Sequence, residues 1–167
     1  TFKIFTMMEY MREHKNYKNY AYECSGVLTQ EENVIHCFGN KVHGHEDLNA
    51  AFANSCNTAF SSIGLSLNLA KFQNLNRSLL FDSPLPCEFP YKQSSFVLEP
   101  GASAGEIIQT SIGQGKTLVT PYHLALVMSA IANDGVLMKP YMIDRVTNYS
   151  GAEVSANEPE EYDTLLS

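Results

Sequence analysis

Apolar positions recur along this chain with two periods, and the changes between them mark its elements. Ile4, Met8 and Met11 fall at helical spacing, with Phe5 and Met7 widening the stripe, until Lys15-Asn16-Tyr17-Lys18-Asn19 ends it. This predicts an amphipathic opening helix. Two strand-like runs follow, residues 20–24 and 33–37, joined by a polar loop as a candidate hairpin. After His43-Gly44-His45, the acidic Glu46 and Asp47 suit the positive end of a helix dipole, and Leu48, Ala51 and Phe52 share one face of the short helix they open. Asn54-Ser55-Cys56-Asn57 interrupts it with residues that favour caps and turns, before a second apolar series at Phe60, Ile63 and Leu67. Ser55 and Asn57 are therefore placed at a helix–helix junction.

Residues 82–105 are rich in Pro, Ser and Gly and read as a long ordered loop, because Pro84, Pro86, Pro90 and Pro100 prevent a long regular element. The clearest helix comes later. Thr120 is a suitable N-cap, Pro121 fits the first helical position, Leu124, Val127, Met128 and Ile131 form the expected buried face, and Gly135 stops the helix. Residues 137–147 read as a strand, and Asn148-Tyr149-Ser150-Gly151 as a turn into a partner strand near 152–154. Residues 157–161 are acidic and read as solvated.

The composition, 44% hydrophobic and 17% charged over 167 residues, is that of a chain able to bury a core. Net charge is −7 and Lys and Arg form no stripe, which argues against a nucleic-acid partner. No apolar run approaches the roughly 20 residues a membrane helix needs. Cys24, Cys37, Cys56 and Cys87 leave the redox compartment open. For Cys24 and Cys37 both a cross-strand disulfide and two half-buried free thiols fit the pattern.

Three groupings invite a chemical reading. Thr110-Ser111-Ile112-Gly113-Gln114-Gly115-Lys116-Thr117 ends like a phosphate-binding loop, but Thr110 stands where that motif needs glycine, and the helix signal at Thr120-Pro121 comes too late to aim N–H groups at a phosphate. Cys24, His36, Cys37, His43 and His45 offer zinc-ligand types without the paired two-residue spacings that specify a site, so no metal or cofactor is assigned. Lys3 with Ser55-Cys56-Asn57 reads, by residue type alone, as a snorkelling lysine and a helix cap.

Resemblance changes the weight of this last grouping. Thr1-Phe2-Lys3 resembles the end of the Ser-Thr-Phe-Lys form of the Ser-x-x-Lys motif of penicillin-binding proteins. Asn54-Ser55-Cys56-Asn57-Thr58-Ala59-Phe60 is similar to the Ser-Cys-Asn form of their second motif, frequent in class B transpeptidases. His43-Gly44 before Leu48 fits as well. Residues 110–115, Thr120-Pro121, Ile131-Ala132-Asn133-Asp134-Gly135-Val136 and Pro140 resemble the segment that follows. The serine of the first motif is expected just before Thr1, and the third motif, Lys-Thr-Gly or Lys-Ser-Gly, beyond Ser167. Lys116-Thr117 is not that motif, since Leu118 follows where glycine is needed for close backbone approach.

The resemblance implies an α+β fold, with residues 1–167 a partial transpeptidase domain. It would hold mostly the helical lobe of the penicillin-binding and serine β-lactamase-like fold, with a few short antiparallel strands. Helix faces made for the missing sheet would lie open, favouring self-association. It also implies a D,D-transpeptidase of peptidoglycan cross-linking at the extracytoplasmic face of the bacterial cell membrane, anchored outside this chain. Its partners would be stem peptides ending in D-Ala-D-Ala and, covalently, β-lactams. Lys3 would be the base or proton relay for the serine, Ser55 would pass the proton to the leaving amine, and Asn57 would bind the substrate amide and hold Lys3. The chain by itself is expected to be inactive. A noncatalytic module binding peptidoglycan or a partner protein is the competing expectation, with the β-lactamase or β-lactam-sensor branch as a third.

Overall fold

The structure, a computed structural model, describes residues 2–166, so Thr1 and Ser167 lie outside the described residues. The chain divides into two compact units, Thr1–Asn76 with Phe96–Thr117, and Arg77–Ser95 with Leu118–Ser167.

The first unit begins with α1 (Lys3–Glu13) and continues through β1 (Tyr22–Cys24), β2 (Val27–Gln30), β3 (Asn33–His36), β4 (Gly44–Glu46), α2 (Leu48–Ala53) and α3 (Asn57–Ser66). It also takes in most of α4 (Leu69–Ser78) and all of α5 (Ala104–Ser111). Local chemistry sets the helix starts. Asp47 accepts the Ala50 N–H at 2.7 Å before α2, and Asn68 accepts the Lys71 N–H at 3.1 Å before α4. Ser103 and Glu106 form a reciprocal capping box on α5. The core is built around α3, which buries Ala59, Phe60, Ile63 and Gly64 and packs against α1 and α5. At Gly64 α5 comes so close that a Cβ there would collide with the Ser111 side chain.

The expected hairpin between residues 20–24 and 33–37 is not the pairing observed. β2, which lay in the expected loop, pairs antiparallel with β3 in the register Val27↔His36 to Gln30↔Asn33, while β1 pairs with β4, Cys24 opposite Gly44. The reason is Gly26, whose φ of +85° turns the chain between β1 and β2 in a conformation that suits glycine. Gly44 to Glu46, just ahead of α2, form β4.

In α1 the methionines are only half-buried, and the buried residues are Lys3, Phe5, Thr6 and Glu9. The inward face is thus partly polar, each group held by particular partners. Thr6 Oγ1 donates to the Ser111 carbonyl at 2.8 Å. Glu9 is 2% exposed, with Oε2 lacking a hydrogen-bond partner. Burial, and then a hydrogen bond to Glu13, raise the Glu9 carboxyl to about 7. In α2, Leu48 and Ala51 are buried but Phe52 is exposed.

The second unit contains α6 (Pro121–Ala132), β5 (Val136–Met138), β6 (Arg145–Thr147), β7 (Glu153–Ala156) and β8 (Glu161–Thr164). Thr120 caps α6 as expected, accepting the His123 N–H at 3.2 Å, and Gly135 closes it with an N–H to the Ala130 carbonyl at 2.7 Å. The buried face is rotated from the expected one, to His123, Leu126, Val127 and Ala130. It turns because His123 Nε2 bonds the Leu79 carbonyl at 2.6 Å while the ring tilts over Phe81. Burial keeps the His123 pKa below its ordinary value, which favours the neutral ring. The single strand expected over residues 137–147 is two, because Lys139 to Asp144 leave the ladder; β5 pairs with β8 and β6 with β7. Among the described residues no helix is long and apolar enough to cross a membrane.

Two stability outcomes follow. Gly64→Ala is expected to cost about 1–3 kcal/mol in a denaturant titration, since α3 and α5 must separate to admit the methyl group. Glu9 has a folded pKa above its unfolded one, so the native state holds the extra proton between roughly pH 4.5 and 7 and stability falls as pH rises through that window. Glu9→Gln is therefore expected to stabilise by about 1–3 kcal/mol at about pH 8 and by little at about pH 4.5, measured as ΔTm.

Candidate active site

The junction between α2 and α3 is a tight reversal. The Ser55 N–H bonds the Phe52 carbonyl at 3.0 Å and the Cys56 N–H the Ala51 carbonyl at 2.9 Å. This forces Ser55 into the left-handed region, φ +51°, a strained conformation for a residue with a side chain. Ser55 is left exposed at the tip of the turn. Cys56 returns to extended backbone and points inward, fully buried, its sulfur accepting the Ala59 N–H at 3.5 Å to cap α3.

Lys3, at the start of α1, reaches this turn. Its Nζ donates to Ser55 Oγ at 3.2 Å and to Asn57 Oδ1 at 2.9 Å, across 52 and 54 positions of sequence. Asn57 is oriented from its other end, Nδ2 donating to the His36 carbonyl at 2.9 Å, so its oxygen is the atom turned to the lysine. Lys3 is 7% exposed. Burial pulls its pKa below the usual lysine range, partly offset by the neighbouring Cys56 and Cys37 sulfurs. The three residues singled out in the sequence thus meet in one cluster: an amine whose neutral form is favoured by burial, a hydroxyl able to receive and pass a proton, and an oriented amide.

Directly behind the turn lies a grouping that sequence spacing did not disclose. The ligand atoms of Cys24, Cys37, His43 and Cys56 all lie within 4.8 Å of one another. The cysteines are free thiols, so of the two readings left open for Cys24 and Cys37 the structure has the unpaired one, and both are buried. Of the five residues weighed as metal ligands, His36 and His45 stand apart: His36 lends its carbonyl to Asn57, and His45 faces Glu23 at 3.7 Å on the surface. Cys56 was hidden by its place inside Ser55-Cys56-Asn57. Burial opposes ionisation of Cys24, but donors from Thr58, His43 and Gly26 outweigh it and bring the thiol to about 6. Burial and the adjacent Glu46 carboxyl push Cys56 up.

The loop resembling a phosphate-binding motif forms no such site. α5 ends at Ser111 before its glycines, α6 starts only at Pro121, and Lys116 is spent on an exposed ion pair with Glu106 at 3.7 Å. A groove of about 470 Å³ runs beside α5 past Leu98, Pro100, Gln109 and Lys116, and none of Lys3, Ser55 and Asn57 lines it.

Comparison with known proteins gives the cluster a context. The chain is 35% identical over 114 residues to the peptidoglycan D,D-transpeptidase PbpA of Mycolicibacterium smegmatis, covering 68% of this chain and 23% of that protein. It is 32% identical over 133 residues to PbpA of Mycobacterium tuberculosis, covering 78% of this chain and 26% of that protein. It thus spans about a quarter of these relatives. The crystal structure of PBPA from M. tuberculosis superposes with a TM-score of 0.83 at 22% identity, covering 99% of this chain and 39% of that one. The ceftriaxone acyl-enzyme complex of the same protein superposes with a TM-score of 0.84, also at 22% identity, covering 99% and 38%. These likenesses bear out the expected α+β fold. The penicillin binding protein transpeptidase domain matches residues 1–164, and with nearly the whole length accounted for, the chain belongs to that family.

Proposed function

We propose that this chain is the part of a D,D-transpeptidase that runs from just after its nucleophilic serine to before its Lys-Thr-Gly strand, and that the parent protein cross-links peptidoglycan by serine acyl transfer. The observation that carries this reading is the convergence of Lys3 Nζ on Ser55 Oγ and Asn57 Oδ1. A lysine with two neutral partners and, among the described residues, no carboxylate bonded to it is held without being locked in its charged form. Burial then makes its neutral amine accessible, which a general base requires.

In the proposed reaction the serine preceding Thr1 gives its proton to the Lys3 amine as its oxygen attacks the carbonyl of the penultimate D-alanine. The C–O bond forms, the amide C–N bond breaks, and Ser55 passes a proton from Lys3 to the departing D-alanine amine. An amine of a neighbouring stem then attacks the acyl-serine, losing its proton along the same path and restoring the hydroxyl. Asn57 keeps the lysine in register and offers its amide to the substrate. A β-lactam enters the first step through its strained amide, its nitrogen remaining tethered to the acyl-enzyme. The acyl-enzyme complexes of M. tuberculosis PBPA support this reading by likeness of fold. Placement at the extracytoplasmic face follows from peptidoglycan as substrate.

The test is fluorescent-penicillin labelling with intact mass, on the protein extended through the residue before Thr1 and through the third motif. Stoichiometric acylation is expected. Lys3→Arg should slow it by roughly 10²–10⁴-fold, since a guanidinium keeps the charge but cannot accept the proton. Ser55→Gly suits the φ of +51°, so a fall of comparable size there would report the hydroxyl and not the backbone. A well-folded protein that takes no label would reject the catalytic reading in favour of a binding module of the same ancestry.

A further inference from the structure

We infer that Cys24, Cys37, His43 and Cys56 form a structural zinc site that braces the turn carrying Ser55 and Asn57. Four donors of soft and imidazole type are gathered from four separate places: the end of β1, the residue after β3, the residue before β4, and the cap of α3. Their spacing matches a metal's coordination shell. Zinc bonds of about 2.3 Å to sulfur and 2.0–2.1 Å to nitrogen, at tetrahedral angles, put sulfurs about 3.8 Å apart and sulfur and nitrogen about 3.5 Å apart. Cys24 and Cys37 sulfurs are 3.7 Å apart, Cys37 and Cys56 sulfurs 3.7 Å, and Cys24 Sγ lies 3.3 Å from His43 Nδ1.

The surroundings suit bound thiolates. Thr58 Oγ1 stands 3.3, 3.6 and 3.4 Å from the sulfurs of Cys24, Cys37 and Cys56. Backbone N–H groups of Gly26 and His43 donate to Cys24, and that of Ala59 to Cys56. Donors of this kind orient ligands and disperse their charge. Three thiolates and one imidazole fill a tetrahedral shell and leave no position for substrate, the pattern of a structural and not a catalytic zinc. On binding, the thiols give their protons to solvent and the His43 ring keeps its proton on Nε2. A disulfide is the competing chemistry, but it would draw two sulfurs to about 2.05 Å and strand the third, whereas Cys37 stands equally far from Cys24 and Cys56.

Cys56 lies between Ser55 and Asn57, so the metal would fix the turn from behind while Lys3 holds it in front. The bracing rests on the acyl-transfer reading; the metal site itself does not.

The experiment is metal analysis of the complete protein purified without chelator, followed by cobalt titration of the stripped form. One zinc per chain is expected, with cobalt giving the thiolate charge-transfer and d–d bands of a tetrahedral site. Cys37→Ser should lose the metal, while Cys87→Ser, outside the cluster, should keep it. Removing zinc should slow penicillin acylation at least tenfold, and returning zinc should restore it. Protein with free thiols but no zinc and no tetrahedral cobalt spectrum, or a mass lowered by two hydrogens with cluster cysteines cross-linked, would overturn the site whether or not the serine acylates. The cobalt spectrum of the unaltered protein decides even where Cys37→Ser does not fold. Zinc bound in a protein that takes no penicillin would leave the site standing and reject only the acyl-transfer reading.

Discussion

The cluster of Lys3, Ser55 and Asn57 depends on keeping one lysine amine out of water with a hydroxyl and an amide as its side-chain partners. Burying an ammonium costs several kcal/mol unless its donors are satisfied. The side chains that satisfy Lys3 Nζ are a hydroxyl and an amide from more than fifty positions away, Ser55 and Asn57. Those partners have to be fixed by their own supports. Ser55 is fixed by a backbone reversal that tolerates φ +51°, and Asn57 by its bond to the carbonyl that ends β3. The strand ladders of the first unit serve the site through that carbonyl: the β2–β3 register sets where His36 sits, and His36 sets which way the Asn57 amide faces.

The same constraint explains why the first unit carries polar groups where a helix seeking stability alone would place leucines. Lys3, Thr6 and Glu9 occupy the inward face of α1, while its methionines sit half-buried at the sides. Lys3 is there for the turn, and Thr6 fastens α1 to the end of α5 through the Ser111 carbonyl. Ser111 also faces Gly64, where the absence of a side chain lets α3 and α5 touch. Helices held this closely restrict how far the lysine and its partners drift apart.

Features with local physical causes were legible in the sequence. The Thr120-Pro121 start of α6, the junction at residues 54–57 and the turn at Asn148 follow from capping and turn chemistry within a few residues, and each is found. What depended on distant partners was not legible. The face of α6 is set by the Leu79 carbonyl and that of α1 by the turn at Ser55, so periodicity alone misplaced both. The β2–β3 pairing was missed because the turn at Gly26 was read as part of a longer loop. α5 did carry a readable signal, Ser103 three residues before Glu106, masked by the Pro- and Gly-rich stretch ahead of it. Resemblance brought Lys3, Ser55 and Asn57 together, where residue type by itself favoured a surface lysine and a cap.

The sulfur cluster escaped for a different reason, and the same geometry explains how one short turn can present two chemistries. Between the left-handed Ser55 and the first residue of α3, Cys56 is extended, at φ −62° and ψ 114°, so successive side chains leave on opposite sides. Ser55 is exposed and Asn57 half-buried on the side of the lysine, while Cys56 is wholly buried among the sulfurs. Ser55 and Asn57, the alternate residues of the motif, are the two that meet Lys3. The middle residue, Cys56, is turned away from them and fully buried. In this chain it meets three other ligand-type side chains, each delivered by a separate backbone element. A shift of β1, β3, β4 or α3 relative to the others would separate these atoms, so a bond network at this point ties four elements to the two residues on which Lys3 depends.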